Sequence, residues 1–128
     1  MVEAITHDIR VSIESSFQEE YANIQHSNFV YTYEVTIENL GDYSIQLISR
    51  EWYIVDANGK HTHVSGEGVI GLQPIIDPQG KHCYESGCHL SAEMGKMYGK
   101  YFMKRLIDGA ILEVEIPVFF LIPNYKLN

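Results

Sequence analysis

Cysteine is scarce in this 128-residue chain, which has only Cys83 and Cys88. Two thiols cannot staple a small secreted scaffold, and nothing else in the sequence indicates export. Long apolar runs are missing too, and no stretch approaches the ~20 apolar residues that a membrane helix needs. The opening residues, MVEAITHDIRVSIESS, lack the basic start and apolar run of a secretory signal. A cytoplasmic protein that does not enter the membrane is therefore expected. Basic residues are few where charge would decide a partner. Ahead of Gly59, Arg10 and Arg50 stand against ten acids, whereas seven bases balance seven acids from Gly59 onward, and the net charge is −8. Such a chain repels nucleic acid, whose binding rests on neutralised phosphates, and only its second half offers a local anion site. Linkers, repeats and low-complexity tracts are absent, so a single domain over residues 1–128 is expected.

What the sequence does have is alternation. Ile9, Val11 and Ile13 alternate with Arg10, Ser12 and Glu14; Phe29, Tyr31, Tyr33, Val35 and Ile37 alternate with Val30, Thr32, Glu34, Thr36 and Glu38. Period two marks strands buried on one face. SIQLISREWYIVD reads as another long strand, and Asn58-Gly59 after it is a strong hairpin signal. Extended pieces flank a Pro-Gln-Gly turn at residues 78–80, and an Asp108-Gly109 turn precedes the final strand. Seven or eight strands with turns every ~8–12 residues predict a β-sandwich or barrel. SAEMGKMYGKYFMKRL fits a helix through Met94, Met97, Tyr98, Tyr101 and Phe102, and fits a strand with Met97, Gly99, Tyr101 and Met103 on one face. Gly95 and Gly99 would each cost a helix about 1 kcal/mol.

GEGVIG, Gly66 to Gly71, matches the glycine pattern of a dinucleotide site. That pattern works when a strand precedes it and a helix follows, with free amides aimed at the pyrophosphate. Pro74 and Pro78 rule out a regular helix here, so a turn, a bulge or close backbone packing is expected. An anion-binding nest of glycine amides remains as a weaker alternative. His61 and His63 share a strand face, and a metal there would need a third ligand such as His82, Cys83, Cys88 or His89. The expectation is exposed strand histidines and no metal. ESGCHLS has no strand–nucleophile–helix elbow, and Glu113 and Glu115 suit a solvent face, so no catalytic residue and no cofactor is assigned.

Several spaced motifs together resemble the ApaG family. They are Trp52, Ile54, Asp56 and Gly59; Gly66, Gly68, Val69, Ile70, Gly71, Gln73 and Pro74; Ser86 to Ser91; and Gly95, Met97, Gly99 and Tyr101. The match runs from about Val11 to about Phe119, and His89 departs from the family's usual proline. The resemblance implies an all-β, immunoglobulin-like and fibronectin type III-like β-sandwich, and it makes the ambiguous segment a strand. It implies no established enzymatic activity. Related domains are appended to F-box proteins and to a DNA polymerase δ-interacting protein, with a supposed role in protein interaction. The family's names also tie it to a diadenosine tetraphosphate hydrolase operon and, as CorD, to cobalt and magnesium homeostasis. A protein-binding module is the expected function, its partner another protein or a second copy in a homodimer. The expected contact residues are Gly66, Gly68 and Gly71, with Lys96 and Lys100 as a positive rim on the Gly87–Gly99 stretch.

Overall fold

In the computed structural model, which describes residues 1–126, the alternating segments form nine strands. These are β1 (Val2–Thr6), β2 (Ile9–Phe17), β3 (Phe29–Asn39), β4 (Ile45–Asp56), β5 (His61–Glu67), β6 (Ile75–Ile76), β7 (Lys81–Leu90), β8 (Gly95–Arg105) and β9 (Ile111–Leu121). Helical structure among the described residues is confined to short 3₁₀ turns at Glu19–Tyr21, Ile24–His26 and Asn124–Lys126. One sheet has the order β1-β2-β3-β7, and the other β5-β4-β8-β9 with β6 added beside β4. Every pairing is antiparallel, and the two sheets form a fibronectin type III-like sandwich. The ambiguous segment is strand β8, with Met97, Tyr101 and Met103 buried on one face. β1 was not anticipated. VEAIT is half-buried and joins β2 through a two-residue turn at His7 and Asp8, both at positive φ.

The inner faces supply the core. Val11, Ile13, Tyr31, Val35 and Ile37 of the first sheet meet Leu47, Trp52, Tyr101, Met103, Val114 and Phe119 of the second, all buried. The Trp52 ring lies 5.4 Å from Tyr33, 5.9 Å from Phe119 and 6.4 Å from Tyr101, all at steep or tilted angles. Each such side chain stabilises the fold by roughly 1.5–3 kcal/mol through area removed from water.

Two bulges re-aim side chains. Opposite β8, the register of β4 shifts between Leu47 and Ser49, with Ile48 as the extra residue. Ile45 and Leu47 face inward before it, and Trp52 and Asp56 after it, so the buried phase switches from odd to even positions. β9 shifts in the same way opposite Met97–Gly99, where Pro117 sits without disturbing a regular ladder.

The sandwich is closed on one flank only. β1 and β2 lie against β9. The Glu115 N–H donates to Thr6 Oγ1 at 3.2 Å, and Ser15 Oγ donates to the Phe120 carbonyl at 3.2 Å. On the other flank the edge strands are β7 and β5, and no comparable packing joins them.

Candidate partner-binding site

At the open flank β5 is an edge strand whose residues are almost wholly exposed. The Asp56 N–H donates to the Lys60 carbonyl at 3.0 Å, and the Gly68 N–H to the Ile48 carbonyl at 2.8 Å. These bonds fix the phase of the β4–β5 ladder, because paired and unpaired positions alternate along antiparallel strands. Thr62, Val64 and Gly66 turn their peptide groups toward Arg50, Trp52 and Ile54 of β4. The amides of His61, His63, Ser65 and Glu67 therefore point away from the sheet, toward solvent. No proline, lysine or bulge interrupts this row, although such devices commonly blunt a sheet edge.

The glycine run begins inside β5 and ends in a tight turn. Val69 and Leu72 exchange both backbone bonds, at 2.8 and 3.0 Å, across Ile70 and Gly71, whose φ values are 49° and 75°. Positive φ at both central positions is the type I′ hairpin geometry. Gly68 is also left-handed, and a Cβ there would collide with the Leu72 carbonyl. Extended chain and β6 follow Gly71, with no helix. The amides of Gly68, Val69 and Leu72 are consumed by backbone carbonyls, so they are not free to cradle a phosphate.

Gly66 has a different role. Its backbone is not left-handed, and a Cβ on it would lie 2.9 Å from Arg50 Nη1. The missing side chain lets the Arg50 guanidinium lie across β5. Nη1 donates to the Glu67 carbonyl at 3.1 Å and to the Gly68 carbonyl at 2.9 Å. Arg50 thereby lines a cleft of about 290 Å³ between the sheets, with Tyr33, Trp52, Val64, Ser86 and Gly87 among its walls. Beneath it the Tyr84 and Tyr101 hydroxyls share a hydrogen bond. Burial raises both phenols well above their ordinary range, and the nearby guanidinium partly opposes this. Both therefore stay neutral at physiological pH. Among the described residues no acid pairs with Arg50, and no Asp or Glu lines the cleft.

The end of the β4–β5 hairpin is held by Asp56. Its carboxylate accepts from the Asn58 N–H at 3.0 Å, the Lys60 N–H at 3.1 Å and Ser91 Oγ at 3.0 Å. Burial would push this carboxyl up, but the two backbone donors and the Ser91 hydroxyl outweigh it and hold the group below the usual range.

The remaining predicted contact residues lie elsewhere. Lys96 and Lys100 project from the outer face of the β4–β8 sheet, where Lys100 reaches Glu113 at 3.4 Å and lies 5.6 Å from the Phe102 ring centre. The same face carries a ladder of stacked rings. His63 lies 4.8 Å from Tyr53, and Tyr53 lies 5.2 Å from Tyr98. Glu51 binds the Tyr53 hydroxyl and approaches His63 Nε2 at 3.4 Å. His61 is exposed on β5, and among the described residues no three His, Cys, Asp or Glu side chains gather where they could share a metal. Gly87 thus lines the cleft, Gly66 lies against the Arg50 guanidinium that also lines it, and the lysines stand on the opposite side of the sheet. Arg50 escaped sequence reasoning. Its shared phase with Trp52 and Ile54 was the available signal.

The description of the ApaG domain matches residues 19–105, more than half of the chain. The chain belongs to the ApaG family. The ApaG protein of Brucella abortus (strain S19) is 43% identical over 119 residues, covering 93% of this chain and 91% of its own length. The ApaG protein of Sinorhizobium fredii is 40% identical over the same extent. An X-ray structure of a Northeast Structural Genomics Consortium target superposes with a TM-score of 0.89 at 34% identity, covering 98% of this chain and 94% of the target. The ApaG motifs now have places in the fold. Trp52 floors the cleft, Asp56 and Ser91 tie the hairpin end to the loop before β8, and Gly66 opens the way for Arg50.

Proposed function

We propose that this ApaG chain is a cytoplasmic, non-catalytic binding module that accepts an extended segment of another protein as an added strand beside β5. The carrying observation is the row of outward amides at His61, His63 and Ser65 on an edge without blunting devices. Backbone pairing with such a row supplies affinity, and side-chain pockets next to it supply choice. A non-catalytic role is supported by the spacing of Ser86 and the β7 histidines: His82 shares its face but stands roughly 13 Å along the strand, and His89 leaves the opposite face. A second copy of the chain is the less suitable occupant, because each copy brings a net charge of −8 to the interface.

Proline at Ser65 removes one outward amide while sparing the bonds to β4. The test compares Ser65→Pro with Ser65→Ala in binding the protein recovered with the tagged chain from its own cells. Retained folding, with capture lost for Ser65→Pro and kept for Ser65→Ala, is the expected result. Undiminished capture by Ser65→Pro would remove β5 as the docking edge. Loss on the double change Lys96→Glu and Lys100→Glu instead would move the interface to the outer sheet face.

A further inference from the structure

The inference that follows rests on β5 as a docking edge and names what the docked segment must carry. We propose that Arg50 binds a carboxylate on an apolar stem, presented by a glutamate or aspartate of the added strand opposite Gly66. Both protons of Nη1 are already engaged by the Glu67 and Gly68 carbonyls. The Nε and Nη2 protons remain, and these two form the fork that takes a carboxylate bidentately. The two carbonyl bonds also fix the plane of the guanidinium before any ligand arrives, which reduces the ordering that binding must impose.

Placement favours the edge. The guanidinium lies over Gly66, with Nη1, Cζ and Nη2 within 2.9–3.3 Å of where a Cβ would stand. A strand added to β5 would run ~4.8 Å away, and its residue opposite Gly66 would turn its side chain to the same inner face. That side chain enters between Val64, Trp52 and Tyr33, which suits the methylenes of an acidic residue. The approximately 290 Å³ of the cleft suits one side chain or a small acid. A single guanidinium in a chain of net charge −8 favours a monoanion over phosphate.

The carboxylate has two conceivable sources, the docked strand and a free small acid, and the probes separate them. Two capped heptapeptides alternate threonine and valine around a central glutamate or glutamine; the small probes are 3-phenylpropanoate and inorganic phosphate. Resonances of the Arg50 Nε–H and of the His63 and Ser65 amides are followed by NMR. The glutamate peptide should move all three and bind about tenfold more tightly than the glutamine peptide, as expected for a charge-assisted pair. This preference should vanish in Arg50→Gln. It should also vanish in Gly66→Ala, which keeps the charge but displaces the guanidinium, so a failure of Arg50→Gln to fold leaves the test intact. If either acid moves Arg50 while the β5 amides stay still, the carboxylate site stands and the docking edge fails; a response to 3-phenylpropanoate alone makes a small acid the source. Equal affinity of the two peptides with no response to 3-phenylpropanoate, or a response of Arg50 to phosphate at lower concentration than to the carboxylates, overturns the proposal.

Discussion

The two flanks of the sandwich solve the same problem in opposite ways. On the β1–β2/β9 side the sheets come together, and side chains from one bond to the backbone of the other through Thr6 and Ser15. On the β7/β5 side the sheets stay apart, and the gap is lined by an arginine, a tyrosine and a tryptophan. Ile13, near the closed flank, is 1% exposed, whereas Val64 points into the gap from β5 and is 40% exposed. Two residues of similar character therefore contribute very differently. The closed flank holds the fold by apolar packing, and the open flank leaves donors unspent and apolar surface uncovered.

The largest expected effect tests that contrast directly. Ile13→Ala should lower stability by about 2–4 kcal/mol, the range for truncating a fully buried aliphatic side chain. Val64→Ala should cost less than about 1 kcal/mol, because much of that side chain is already in water. Chemical denaturation of both variants checks this, and equal losses would mean that the open flank is packed as firmly as the closed one.

A medium effect concerns pH. Asp56 is held below the usual carboxylate range, so its contribution is fully present above the unfolded value of about 3.9. It is lost as pH falls through the lower folded value. Asp56→Asn should therefore be less stable than the parent by roughly 1–2 kcal/mol at neutral pH, since charge-assisted bonds become neutral ones. The difference should shrink in acid, as measured by denaturation at several pH values. Ile13→Ala should show no such convergence with the parent, which separates a flank framed by a carboxylate from one framed by packing.

The smallest effect is a gain. Ile70 is β-branched, yet it occupies a left-handed position in an exposed turn. Ile70→Asn should raise stability by about 0.5–1 kcal/mol, seen as a higher Tm, because asparagine suits the first central position of a type I′ turn. A loss instead would show that Ile70 packs in a way its 61% exposure does not reveal.

Much of the frame was legible in the sequence because alternation is a local signal. β2 and β3 could be read from Ile9–Ile13 and Phe29–Ile37, and Pro74 ruled out a helix after the glycine run. The site was harder to see. Counting by twos from Ile45 and Leu47 sends Arg50 outward, and only the extra residue at Ile48 turns it inward. Whether β5 is an edge or an interior strand depends on what pairs beside it, a long-range fact with no local mark. The lysines of β8 are regularly spaced in the sequence, but which side of the sheet they occupy relative to Gly66 depends on the registers that carry β5 across β4 to β8.

The pairing of β3 with β7 also sets the order in which the molecule can assemble. The hairpins β1–β2, β4–β5 and β8–β9 close over short stretches of chain, whereas Phe29 must meet Leu90 and Glu38 must meet Lys81. Contacts so distant in sequence carry loop-closure entropy before they return any binding, and sandwiches dominated by them fold in roughly milliseconds to seconds. β7 can join only after the intervening strands have passed to the opposite sheet, so β3 waits as an unprotected edge during synthesis. The cleft wall that carries Ser86 and Gly87 thus depends on a long-range closure, whereas Arg50 meets Glu67 and Gly68 within the locally closing β4–β5 hairpin and its turn.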